Sequence, residues 1–175
     1  MINTRKKSIT TETIEIREIK IKDVDLFLDF LRNSIKNQFD EYSKKSKDFF
    51  IKKEWTKERI INSIKENYAI FLLVFKEEKI LGYLIGSHHF GGIATVMWIA
   101  VDNNYQGQGI GRKLINKYIS ILKKEKAHKV NLTVTNKKNI DFYEGLGFKI
   151  QCFSKRDYFG LDSYLMSKDI QEPQW

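Results

Sequence analysis

The chain has 175 residues, a formal charge of +9, 42% hydrophobic and 13% aromatic residues, one Pro, one Cys and three His. That length and apolar content suit one domain with a closed core and exclude a disordered or collagen-like chain. The lone Cys152 forms no internal disulfide and supplies no thiolate cluster, as expected of a reducing, cytoplasmic compartment.

No apolar stretch follows the basic start Met1–Lys7, and no run reaches the roughly 18–20 residues of a membrane span, so neither export nor insertion is expected. The excess charge is compatible with a nucleic-acid surface, a polyphosphate ligand or a solvated lysine face. Only Arg5, Arg17, Arg32, Arg59, Arg112 and Arg156 are arginine, the residue suited to bidentate reading of phosphates and bases, and the lysines are dispersed. A solvated surface is therefore weighed above nucleic-acid binding.

Residues 1–11 are polar and basic and read as a flexible tail; 12–170 read as one domain and 171–175 as a second tail. Residues 13–19 alternate apolar and polar, the period of a half-buried strand. Val24, Phe27, Leu28, Leu31 and Ile35 place a helix over 23–36, and Ile60, Ile61 and Ile64 a second over 56–67. The stretch between them, rich in Phe, Tyr and Lys, has no assignable period. Residues 69–75 and 80–87 are apolar runs around the polar turn Lys76–Lys79, hence a hairpin. After Gly91-Gly92, residues 94–101 are so apolar that burial on both faces, at the centre of a sheet, is expected. A loop over 102–109 opens a helix with Leu114, Ile115, Tyr118, Ile119 and Leu122 inward, and 129–135 alternates again. Strand, glycine loop, helix, strand is a βαβ unit with parallel strands and a right-handed crossover. A short helix at 139–144 and strands at 148–153 and 163–167 complete the chain.

The loop Gln106-Gly107-Gln108-Gly109-Ile110-Gly111-Arg112 lies between a buried strand and a helix start, where unpaired N–H groups and the helix dipole favour an anion. Glycines at alternate positions let backbone approach a phosphate, although a turn that merely starts a helix needs glycine too. A Walker loop or a dinucleotide fingerprint begun at Gly107 requires glycine where Arg112 stands, so both nucleotide readings fail.

The loop does match Gln/Arg-x-x-Gly-x-Gly/Ala, with Gln106, Gly109 and Gly111 in place, and in this it resembles the GNAT superfamily of acyl-CoA N-acyltransferases. Downstream, Asn136, Tyr143 and the closing Leu146-Gly147-Phe148 resemble the superfamily's second signature. The resemblance implies an α/β (α+β) GNAT fold: a mixed, mostly antiparallel sheet with a splayed parallel strand pair, flanked by about four helices. It implies acetyl-CoA as co-substrate, with no metal. Backbone groups of Ile99, Ala100 and Val101 would hold the pantetheine arm, and Gln106, Gly107, Gln108, Gly109, Ile110, Gly111 and Arg112 the pyrophosphate. Asn136 would touch the pantetheine, and Tyr143 would protonate the departing thiolate; a plain packing role beneath the short helix is the other reading of Tyr143.

Within the superfamily the chain is most similar to N-terminal acetyltransferases, including the ribosomal-protein alanine type, through Trp98–Asp102 and the tyrosine-bearing segment Arg156–Met166. By that likeness Tyr158 would contact the acceptor. Where some members carry a Glu or His base, this chain has Asn131, which takes no proton. An α-amine of pKa about 8 tolerates that loss better than a lysine of about 10.4. A water chain, or His88 or His89, is the alternative proton carrier at the acceptor side. The expected reaction is acetyl transfer to a primary amine, first a protein N-terminus and second a polyamine or aminoglycoside, by a monomer or homodimer. A basic RNA- or ribosome-binding module is the non-enzymatic alternative.

Overall fold

The computed structural model, which describes residues 14–174, places its elements where the periodicities put them. β1 (Ile14–Glu18) leads to α1 (Val24–Gln38), α2 (Lys44–Phe49), a π-helical turn (Phe50–Glu54) and α3 (Lys57–Lys65). There follow β2 (Ala69–Lys76), β3 (Lys79–Ser87), β4 (Ile93–Val101), α4 (Ile110–Lys124), β5 (Lys129–Val134), α5 (Ile140–Glu144), β6 (Lys149–Ser154) and β7 (Ser163–Asp169). All seven strands join one sheet, ordered β1-β2-β3-β4-β5-β7-β6, in which only β4 and β5 run parallel.

The helix beyond the expected four is α2, formed within the stretch that shows no period. Six residues span under two turns, too few to display one; the Ser43 hydroxyl caps it by accepting from Ser46 N at 3.1 Å. The tail expected at 1–11 lies outside the described residues, as does Trp175. Of the expected C-terminal tail, Gln171 donates its amide to the carbonyls of Ala127 (2.7 Å) and Lys123 (3.2 Å) at the end of α4. Among the described residues no helix is long and apolar enough to cross a membrane.

Helices cover both faces of the sheet. Leu114, Ile115, Tyr118 and Leu122 of α4 pack on Leu72, Val74, Leu84 and Val130. On the opposite face Phe27, Leu31 and Ile35 of α1 and Ile60 of α3 pack on Phe71, Leu73 and Tyr83. β2 is therefore a continuous apolar run, since both its faces are buried.

β4 changes face midway. Ala94 and Val96 belong to the α4 core, whereas Trp98 and Ala100 belong to the α1 core. Met97 is the extra residue responsible: Ile85 pairs with Trp98 and Gly86 with Val96, a β-bulge that flips the alternation. Pairing with β5 ends at the same point, at Val96–Leu132. The expectation of two-sided burial along 94–101 therefore fails at Met97, which is 43% exposed, because beyond Val96 the neighbouring strand is gone. Side chains satisfy the polar groups that the bulge displaces. The Tyr118 hydroxyl lies between the carbonyls of Ser87 and Thr95, and Ser87 Oγ accepts from Thr95 N at 2.9 Å. Only glycine fits at position 86, where a Cβ would stand 2.4 Å from the Tyr118 ring.

Candidate active site

Beyond Val96 and Leu132 the parallel strands part, and a cavity of about 400 Å³ opens between Met97–Ile99 of β4 and Leu132–Asn136 at the end of β5. Residues 99–101 still pair with β3, but their β5-facing edge has no strand partner among the described residues. An extended ligand can therefore lie along that edge as an added strand.

The glycine loop continues from β4. Gly107 and Gly109 have φ of +75° and +77°, the left-handed region that a side chain disfavours, and this turns the chain sharply into α4. Ile110, 1% exposed, anchors the helix start in the core. The Gln106 carboxamide donates back to the Val101 carbonyl at 3.2 Å, and Gln108 to the Asn104 carbonyl at 3.3 Å, so the loop is braced by its own side chains. Gly111 serves a different purpose. A Cβ there would stand 3.1 Å from the Phe142 ring, so its absence lets α5 close on α4, and Arg112 fastens the contact by donating to the Gly145 carbonyl at 3.2 Å.

That contact sets Tyr143, which is 8% exposed, lines the cavity and meets Phe148 edge-on at 6.0 Å. Burial pushes its phenol up to about 12, so it stays protonated at neutral pH. Asn136 lines the same cavity, and its side-chain oxygen accepts from Lys138 N at 3.2 Å to start the turn before α5. Ile99 and Tyr158 reach the cavity too. His88 and His89 do not. They follow β3, which runs antiparallel to β4, so they lie at the end of the sheet opposite the gap; His88 Nδ1 meets Glu125, just past the end of α4, at 3.0 Å, and His89 Nδ1 accepts from Gly92 N. Asn131, which pairs with Thr95 before the strands part, is not among the cavity residues either.

The far wall was invisible to motif reading. Phe39, Glu41 and Tyr42, from the stretch after α1, line it together with Asp157 and Tyr158 from the loop between β6 and β7. Phe50 ties the two segments together, with ring centroids 5.3 Å from Tyr42, 4.8 Å from Trp98 and 4.7 Å from Phe159. The one sequence signal was the aromatic density of the unassigned stretch. Burial also pushes Tyr42 up to about 12 and raises Tyr158. In a chain of charge +9 the charged groups lining the cavity, among the described residues, are Glu41 and Asp157, with no lysine or arginine. Among the described residues no group of three His, Cys, Asp or Glu is arranged to hold a metal ion.

The sequence profile of the acetyltransferase (GNAT) family matches residues 28–148. An uncharacterized N-acetyltransferase of Methanocaldococcus jannaschii is 30% identical over 146 residues, 79% of this chain and 62% of that protein, so this chain spans less than two-thirds of that relative. The structure of PaiA N-acetyltransferase from Thermoplasma acidophilum, in complex with coenzyme A, matches with a TM-score of 0.77 at 25% identity, over 90% of this chain and 99% of the other. Ribosomal-protein-S5-alanine acetyltransferase from Vibrio fischeri matches with a TM-score of 0.76 at 24% identity, over 95% and 98% of the two chains, a likeness of fold. With a profile match over most of its length and the parted β4–β5 pair in place, this chain belongs to the acetyltransferase (GNAT) family.

Proposed function

We propose that this chain transfers the acetyl group of acetyl-CoA to a primary amine in the cavity between β4 and β5, with a protein N-terminal α-amine as the first acceptor. The observation that carries this reading is the shared gap. The cavity is lined by Ile99, the first residue of a strand edge that has no partner on its β5 side among the described residues, and by the buried Tyr143; α4 starts past the end of that edge. The residues fit coenzyme A. The N–H groups of Ile110, Gly111 and Arg112 at the head of α4 suit a pyrophosphate, with open space where a Cβ would stand at 107 and 109. The β4 edge and Asn136 suit the amide-bearing arm.

In this reading the amine attacks the thioester carbonyl, a C–N bond forms, the C–S bond breaks, and the thiolate leaves. Tyr143 is the hydrogen-bond donor at the sulfur. With its phenol pushed up to about 12, it is a weaker acid than a thiol of about 8.5. It therefore holds the thiolate by a hydrogen bond and relays to it a proton that the nitrogen sheds, rather than losing its own outright. A small polyamine is the second reading, favoured by the two carboxylates that line the cavity and by the absence there of basic side chains among the described residues.

Thiol release from acetyl-CoA, measured with a peptide bearing a free N-terminal alanine and with spermidine, tests both. Turnover of either, with a rise in Tm on adding coenzyme A, is expected; absence of both overturns the proposal. Tyr143→Phe keeps the ring contacts and should lower kcat about 10- to 100-fold with the acetyl-CoA KM nearly unchanged.

A further inference from the structure

Glu41 belongs to the segment with no readable period, yet its carboxylate reaches the end of β5, where Oε1 accepts from Thr135 Oγ1 at 3.1 Å. The bond spans 94 positions of sequence and ties the loop after α1 to the strand that borders the cavity. Thr135 and Tyr42, the latter next to Glu41 in sequence, line the same cavity. An ionised carboxylate offers about four lone-pair sites, and this bond occupies one. The other cavity carboxylate, Asp157, serves its own turn by accepting from Ser163 Oγ. Asn131, on β5, is not ionisable and does not line the cavity.

We infer that Glu41 receives the ammonium group of the acceptor and takes its proton, with Thr135 as the positioning residue that aims the carboxylate. This rests on acetyl transfer at the cavity as proposed above. The acceptor R–NH3⁺ gives one proton to Glu41, and its freed lone pair forms the C–N bond as the carbonyl π electrons move to oxygen. Collapse restores the carbonyl and expels the thiolate. The second nitrogen proton passes to sulfur through Tyr143, and Glu41 returns the first to water, so one proton is released per acetyl transferred. Thr135 bonds Glu41, and the titratable groups that line the cavity with it are Tyr42, Tyr143, Asp157 and Tyr158; among the described residues no cation lines the cavity.

Glu41→Gln keeps an oxygen to accept from Thr135 and removes only the charge and basicity. Steady-state kinetics from pH 6 to 9.5, with acetyl-CoA and either the alanine peptide or spermidine, test the inference. At pH 6.5 the amine kcat/KM of Glu41→Gln should fall about 100-fold. The deficit should shrink as pH rises towards the amine's own pKa, about 8 for the peptide and about 10.4 for an alkyl amine, because water then does the deprotonation. Thr135→Val should fall about 10-fold with the same pH trend, and both variants should keep the wild-type rise in Tm with coenzyme A. Wild-type kinetics in Glu41→Gln, a loss independent of pH, or the pH-dependent loss appearing in Asp157→Asn instead, each overturns it. A wild type that neither turns over nor is stabilised by coenzyme A overturns the acetyl-transfer reading first, and this inference with it.

Discussion

The two sides of the cavity are built from different materials. On the side of β4, α4 and α5 the working surface is backbone: a strand edge released by a bulge, the start of a helix, and glycines at 86, 109 and 111 where a side chain would strain the chain or strike a neighbour. On the side of residues 39–55 and 155–162 the surface is side chain, a set of rings packed edge-on and tilted around Phe50, with Glu41 held by Thr135. Backbone geometry suits a ligand that never changes, because main-chain groups are the same whatever the sequence. A wall of side chains can be rebuilt residue by residue for a different acceptor.

The difference can be tested by breaking each side in its own way. The aromatic wall should fail when atoms are removed. Phe50 is 1% exposed, so Phe50→Ala should cost about 3–5 kcal/mol in chemical denaturation and raise the amine KM more than the acetyl-CoA KM. An acetyl-CoA KM that rose as much would show that the two sides are one unit. The backbone side should fail when atoms are added. Gly86→Ala drives a Cβ into the buried Tyr118 ring and should cost about 1–3 kcal/mol by the same measurement, together with a smaller rise in Tm on adding coenzyme A, since the bulge that opens the gap is disturbed.

The smallest expected effect is at Gly109. Its φ of +77° costs an L-residue about 1–2 kcal/mol, while open space around it means no clash. Gly109→Ala should therefore lose about 1 kcal/mol of stability and bind coenzyme A more weakly by calorimetry, with the amine KM unaltered. A shifted amine KM would mean that the glycine loop shapes the acceptor wall as well.

Much of the fold was legible because its signals are local. The apolar runs of β2, β3 and β4, the stripe of α4 and the glycine spacing each occupy one continuous segment, and Gln106, Asn136 and Tyr143 follow at motif spacing. Two things escaped for physical reasons. The bulge at Met97 is a matter of register between β3 and β4, which no single strand's composition encodes, so 94–101 read as uniformly buried. His88 and His89 were placed by their nearness in sequence to β4, but an antiparallel partner carries them to the far end of the sheet.

The acceptor wall marks the boundary most clearly. Sequence alone determined the family resemblance, the order of elements and the glycine spacing of the loop before α4, since a backbone turn needs particular residues at particular spacings along one stretch of chain. It also registered a charge of +9, which says nothing of a cavity whose charged lining, among the described residues, is Glu41 and Asp157. Only the tertiary structure brought Glu41 to Thr135 and Phe50 to Phe159. Contacts across such distances arise from packing two loops over a common core, and neither loop has a period from which its partner can be read.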